Sequence, residues 1–476
     1  MWSPAGRTGE ALRDGATGRI ERITTGRLPK PPLVRYDGCA AGMAPAVSSG
    51  SLSAIVPVVT LAYGAADPLV IEPGPGADVR QCRGPGGVSG AAATRTVTAA
   101  LVADAHGPPL ASHVVAGDRV VLAVAGTLPQ SAAVVTALQQ VLADAGVRHD
   151  DMTVLRSAWR PDSLSASTAG TAAATSPDPR DLTFDPTAGG STSYLAADAD
   201  GGPVYLARPL VDADVVVAVG PWGWNAACGG RAHEGELWPT FSTDVARRAF
   251  AASLARRGRH ALPPWRHMVR DVSWQLGICA SLRLVPGAGG TLHAALFGLP
   301  AEADHAARVA ASSWRPRLEA AAAVTIALVR DADAGFDAVT RAVAAAARTT
   351  VPGGTICIVS RSLRGPGIVF LRWRQGAPLV PLVREAVASG DPALVADALV
   401  TRLFARALGD RRLVLLGALG EAEVEELGFG HAATPEVVER LAHRAEGVVV
   451  LHEADGMFPR RIGPLAGPAD PAGSQS

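Results

Sequence analysis

The sequence predicts an α/β protein of two domains, each built on a largely parallel sheet flanked by helices, with a cleft between them. Three observations predict it. Short, wholly apolar runs such as Val120-Val121-Leu122-Ala123-Val124 and residues 215–219 have the character of strands buried on both faces. These runs alternate with stretches of helical spacing. The chain has 476 residues, 48% hydrophobic and 18% charged, enough apolar material for more than one core.

Order is expected from about Ile55, where Ile55-Val56-Pro57-Val58-Val59-Thr60-Leu61 has β-branched strand character and Gly64 turns the chain. The Gly- and Pro-rich stretch 73–90 reads as a loop. Gly117-Asp118-Arg119 leads into the 120–124 strand, which Gly126 and Pro129 punctuate. Residues 131–145 then place Val134, Leu138, Val141 and Leu142 on one helical face, and Gly146 is positioned to stop that helix. Met152-Thr153-Val154-Leu155 is the next strand, and the Ser/Thr/Ala-rich segment 163–176 reads as a flexible excursion.

Strand signals resume over 204–219, broken by Asp212 and Asp214 just before the apolar 215–219. Helical spacing covers 243–257, and 282–285 with 291–297 reads as a hairpin across 287–290. A helical connection containing Pro316 marks a boundary between about 299 and 317. Beyond it come a strand at 324–329, an alanine-rich helix at 336–348 and a Pro352-Gly353-Gly354 turn into the strand 355–359. Two more buried strands, 413–416 and 448–451, flank a helix at 435–444. The expected division is therefore 55–300 and 318–465. Residues 1–54 are expected to be a disordered extension, or to lie partly upstream of a true start at Met43, and 466–476 to be a tail.

Charge and composition exclude several functions. The 44 basic and 44 acidic residues cancel, so there is no electrostatic footprint for nucleic acid or an anionic membrane surface. No apolar run reaches the length of a membrane span. The five cysteines are scattered without a CxxC pair, and a cytoplasmic location with reduced thiols is expected. Lys30 is the sole lysine, so the body of the chain has no amine nucleophile.

Six stretches carry a resemblance, in this order. They are Leu61-Ala62-Tyr63-Gly64, Gly117-Asp118-Arg119-Val120-Val121, and Gly202-Pro203-Val204-Tyr205 followed by Asp212-Ala213-Asp214-Val215-Val216-Val217. Cys228-Gly229-Gly230-Arg231, Pro352-Gly353-Gly354-Thr355-Ile356 and Leu427-Gly428-Phe429 complete the set. Together they resemble the nickel-pincer lactate racemase family, of which this chain looks like a divergent, two-domain member. The resemblance implies an isomerase of hydroxy acids, in which a nickel-bearing pincer nucleotide takes a hydride from the carbinol carbon and returns it to either face. Such chemistry needs a base for the hydroxyl proton, a cation for the carboxylate, a lysine tether and a histidine ligand.

Position by position, most of these groups are replaced. The family's Asp-x-Thr-Arg-Pro turn falls on Ala125-Gly126-Thr127-Leu128-Pro129, keeping Thr127 but losing the carboxylate and the guanidinium. Its Gly-Thr-His-Arg-Pro segment falls on Ser157-Ala158-Trp159-Arg160-Pro161, where Arg160 stays and an indole replaces the base. The metal-binding histidine falls on Trp222 and the tethering lysine on Ala232, while the second domain's lysine falls on Arg341. His233 is a weak candidate ligand, against the plainer reading of a solvated loop histidine, and Glu234 and Glu236 are acids that ordinarily face water. Gly229, Gly230 and Arg231 form either an anion-binding turn or a loop with a salt bridge. Trp159, Trp222 and Trp224 either wall the old cleft or fill volume left by lost polar groups.

Three readings follow. The first is a degenerate member, a pseudoenzyme that binds a small anionic molecule between its domains through Thr127, Arg160, Gly229, Gly230, Arg231 and Arg341, with no covalent cofactor. An alternative is a divergent 2-hydroxy-acid racemase or epimerase holding the nickel-pincer nucleotide noncovalently. The third is a non-catalytic protein whose apolar cleft accepts a protein partner.

Overall fold

Two six-stranded sheets organise the computed structural model, which describes residues 58–63, 68–164, 180–227, 237–329, 335–362 and 364–462. In the first sheet the spatial order is Leu292–Gly298, Ser281–Pro286, Val215–Pro221, Val120–Ala125, Met152–Ser157 and Asp181–Thr183. Every pairing is parallel except that of Leu292–Gly298 with Ser281–Pro286, the expected hairpin. The central strand is buried at all six residues, which explains its unbroken apolar sequence. Its side chains divide by the period of two. Val120, Leu122 and Val124 pack in one core with the helices Gly90–Val102 and Ser131–Asp144, whereas Val121, Ala123 and Ala125 pack in another with Leu155, Phe184 and Phe241.

The second sheet runs Gly430–His431, Arg412–Gly417, Thr350–Ser360, Ala322–Val329, Gly447–Leu451 and Asp78–Cys82, parallel throughout. Val324, Ile326 and Leu328 face the antiparallel hairpin Val59–Leu61/Leu69–Ile71 and the helix Pro435–His443. Ala327 and Val329 face the opposite way, against the helix Phe336–Ala346 and the aromatic group Phe336, Phe370 and Phe404. The Pro352-Gly353-Gly354 turn lies inside the long strand rather than before it. Thr350 pairs with Ala322 and Thr355 with Val324, so the residues between them bulge outward, with Gly353 at φ +70°.

Two findings depart from the sequence reading. The stretch 73–90, read as a loop, contains the strand Asp78–Cys82, which pairs with Gly447–Leu451 from Asp78↔Gly447 to Cys82↔Leu451. It is an edge strand held by backbone bonds and only partly buried, so its polar sequence Asp-Val-Arg-Gln-Cys gives no apolar signal. Sheet membership also does not follow the expected 55–300 and 318–465 division at its start. Residues 59–82 belong with the second sheet, and the first sheet begins only at Val120.

Helices join the two sheets. Asp244–Arg257 lies in sequence between strands of the first sheet, yet it packs Phe250, Ala251 and Leu254 against Leu382, Val395, Ala398 and Leu399 from the helices Leu379–Ser389 and Pro392–Leu408. The chain from Ala54 to Ser476 forms a single contact unit. The terminal segments 1–54 and 466–476, the turn at Gly64 and most of 163–176 lie outside the described residues.

Candidate functional site

In an open parallel sheet, ligands are received at the carboxyl ends of the strands, where the strand order reverses. In the first sheet that point lies between Val120–Ala125 and Val215–Pro221. The chain proceeds from the central strand outward to 152–157 and 181–183, then returns to build 215–221 and 281–286 on the other side. Gly126 leaves the central strand at φ +75°, and a Cβ there would stand 3.5 Å from the Pro221 ring. A hydrogen bond from the Gly126 N–H to the Ser157 carbonyl, 2.7 Å long, ties this turn to the end of the neighbouring strand.

Of the expected site residues, Ala125, Thr127, Leu128 and Trp222 lie at or just beyond the ends of these two strands, with unequal access. Ala125 and Leu128 are buried, in separate cores on the two faces of the sheet, and Thr127 is exposed. Trp222 is buried at the end of the Val215–Pro221 strand and meets Trp224 edge-to-face at 5.1 Å, while Trp224 stacks on Phe458 at 6.1 Å. Trp159 belongs to a different cluster, edge-on to Phe250 at 6.2 Å. The three indoles therefore do not line one wall. Two fill the core between the sheets, and the third packs on the helix Asp244–Arg257.

Arg160 and Arg341 come from different sheets and converge. Arg160 follows the Met152–Ser157 strand and reaches Asp162 through Nη2 at 3.2 Å and Nε at 3.4 Å. Arg341, on the helix Phe336–Ala346, reaches the same Asp162 Oδ2 through Nη1 at 3.4 Å and Asp337 Oδ2 at 2.8 Å. Asp162 is only 2% exposed in its side chain. Burial alone would push its carboxyl up, but the Arg160 and Arg341 guanidiniums together hold it below the usual range. Burial likewise opposes charge on Arg341, and Asp162, Asp337 and Asp455 outweigh it, holding the guanidinium firmly protonated. Desolvation wins at Asp455, whose carboxyl is raised despite Arg341. The two-arginine clamp thus already grips an internal carboxylate.

Sequence reasoning missed Asp162, Asp337 and Asp455, and it also missed Arg247. This arginine is buried beneath Trp159, with its guanidinium carbon 5.6 Å from that ring and 5.0 Å from Phe184. It donates to the Thr240 carbonyl and to Ser157 Oγ at 3.1 Å, and burial pulls its pKa down to about 10. Its signal was available: an arginine on the apolar face of a helix, at Phe250 and Leu254 spacing. Gly229, Gly230, Arg231, Ala232 and His233, with Glu234 and Glu236, lie in 228–236, outside the described residues.

Across 85% of its length the chain superposes on the whole of the lactate racemase apoprotein from Thermoanaerobacterium thermosaccharolyticum, with a TM-score of 0.65 and 14% identity. The fold is that of lactate racemase. A Thermotoga maritima protein matches less closely, with a TM-score of 0.52 and 10% identity over 78% of this chain and 97% of that one. No protein-family model matches the sequence. No curated protein matches it either.

The indole of Trp222 offers no lone pair to a metal and is packed into the core. Among the described residues no group of three or more His, Cys, Asp or Glu is placed to hold a metal ion. No described helix is long and apolar enough to cross a membrane.

Proposed function

We propose that this chain is a non-racemising protein of the lactate racemase fold that binds a small anionic molecule between its two sheets. One observation carries the reading. Arg160, after a strand of the first sheet, and Arg341, on a helix packed against the second, meet at Asp162, while the side chains of Ala125, Leu128, Trp159 and Trp222 offer neither a base nor a metal ligand. Guanidiniums paired with a carboxylate are in the geometry that grips a substrate carboxylate, and here Asp162 takes that role. Asp162 acts as an internal stand-in that an incoming anion must displace or extend. Arg160, with a side chain 37% exposed, is the member of the pair that solvent and a ligand reach first.

The test has two arms. Protein supplied with nickel, pincer nucleotide and either lactate enantiomer is expected to leave the enantiomer unchanged; racemisation would establish the noncovalent-cofactor alternative instead. In thermal-shift titrations with 2-hydroxy acids, stabilisation is expected for the parent protein and for Arg160→Lys, and is expected to be lost in Arg160→Ala. A hydroxy acid that binds equally well to Arg160→Ala removes the clamp from the reading.

A further inference from the structure

A second cluster of arginines stands apart from the Asp162 clamp and has a different composition. Where the helices Asp244–Arg257 and Pro392–Leu408 meet the carboxyl end of Phe336–Ala346, they leave a cleft of about 350 Å³. Arg259, Arg348, Arg402, Arg406 and Arg411 line it, and among the described residues no aspartate or glutamate does. The chain as a whole has no net charge, so five guanidiniums here are a local concentration rather than a reflection of composition. Among the described residues, the one carboxylate within salt-bridge distance of any of the five is Asp410, 4.0 Å from Arg411.

The heads are partly anchored by backbone carbonyls, which fixes them without neutralising them. Arg348 Nε donates to Pro459 O at 2.6 Å, Arg402 Nη1 to Ala255 O at 2.7 Å and Arg411 Nε to Thr350 O at 3.1 Å. Each guanidinium has five N–H donors, and these bonds leave several on each for a ligand. Arg348 also lies over the Phe458 ring at 4.0 Å, which fixes its plane. Arg402 and Arg406, four residues apart, share one face of their helix. Burial and then Arg315 and Arg460 lower the pKa of Arg348; burial and then Arg406 lower that of Arg402. Like-charge crowding of this kind costs energy that a bound polyanion relieves.

We propose that this cleft binds a molecule carrying a diphosphoryl group. A single carboxylate engages one or two guanidiniums, whereas a diphosphate presents several negatively charged oxygens to donors arranged around it. The floor of Leu254, Leu399 and Leu403 accommodates the apolar part of an organic diphosphate. The cleft is distinct from the Asp162 clamp. Arg341 and Arg348 are seven residues apart, about 10 Å along a helical rise. This proposal goes beyond the anion-binding reading above and does not require it.

Calorimetric titration of the full chain at about 0.1 M salt tests it, with inorganic pyrophosphate, ADP, inorganic phosphate and citrate as probes. Pyrophosphate and ADP are expected to bind with one-to-one stoichiometry, and phosphate and citrate at least about tenfold more weakly. Arg406→Ala and Arg259→Ala, both at exposed positions, are each expected to weaken pyrophosphate about tenfold or more. Arg406→Lys restores part of that loss, and Arg148→Ala, removing an exposed charge elsewhere, changes nothing. ADP binding without pyrophosphate binding, citrate matching pyrophosphate, no binding at all, or affinity indifferent to Arg406→Ala and Arg259→Ala would each overturn the proposal. Hydroxy-acid binding that depends on Arg160, with no pyrophosphate binding, would keep the proposed function and remove this site. The opposite pair of results would do the reverse.

Discussion

Arg341 and Arg348 lie on the same stretch of chain, two turns apart, and belong to opposite electrostatic regimes. Around Arg341 three aspartates surround two arginines in a buried pocket, and the charges hold one another in place. Around Arg348 five arginines crowd a cleft with no carboxylate among its described lining residues. An arginine's function is therefore set by the acids within reach of it. The first group is a clamp already closed on an internal carboxylate, which a ligand has to displace or extend, and the second is a site awaiting counter-charge.

The largest expected effect tests the clamp. Arg341→Ala leaves Asp162, Asp337 and Asp455 without their shared guanidinium and should cost about 3–5 kcal/mol in urea unfolding. A loss under about 1 kcal/mol would mean that the pocket rehydrates freely and that the contrast with the open cleft is false. Asp162→Asn should cost less, about 1–3 kcal/mol, because Asp337 still pairs with Arg341. This variant also tests the pH dependence. A carboxyl whose folded pKa is depressed contributes stability that is present above its unfolded pKa and lost as pH falls through the folded value. The acid limb of the stability profile should therefore be shallower in Asp162→Asn than in the parent protein.

His452 offers a smaller comparison, outside both arginine groups. Burial, then Arg83, pulls its pKa from 6.5 down to about 4, and its Nε2 lies 3.2 Å from Gln81 Oε1. A depressed histidine loses its stabilising contribution as pH falls from about 6.5 to about 4, because the unfolded chain takes up the proton first. His452→Gln should flatten the profile in that window by no more than about 3 kcal/mol. An unchanged profile would place the ring in water. The smallest effect belongs to the open cleft. Arg406→Ala and Arg259→Ala should each alter stability by less than about 0.5 kcal/mol, with any change towards greater stability. A marked loss in either would show an unrecognised anchoring role.

The sequence reveals the interior strands because burial on both faces demands apolar side chains throughout, as at Val120–Ala125 and Ala322–Val329. It conceals Asp78–Cys82, whose partner is backbone. The helices Gly90–Val102, Leu262–Gln275 and Pro392–Leu408 were also missed; in Leu262–Gln275, Pro263 and Pro264 at the start look like a break, although proline is well tolerated in a first helical turn. At the site, Arg160 and Arg341 were legible as cations, but Asp162 was not, since nothing local distinguishes a buried aspartate from a solvated one. The arginine cleft draws on residues from Arg259 to Arg411, a set that only the packing of three helices brings together. The pair Arg402 and Arg406 was its one local trace.

The pairing of Asp78–Cys82 with Gly447–Leu451 has a consequence for the order in which the protein is made. The strand Asp78–Cys82 must wait for a partner synthesised more than 360 residues later. Until that partner emerges, the hairpin Val59–Leu61/Leu69–Ile71 has no Val448 or Val450 to complete its core. A ribosome stalled before residue 447 would thus hold a finished first sheet beside a second sheet lacking both its closing strand and the edge strand beyond it. Any C-terminal truncation that removes Gly447–Leu451 takes the support from Asp78–Cys82 as well, so damage at one end of the sequence is felt at the other.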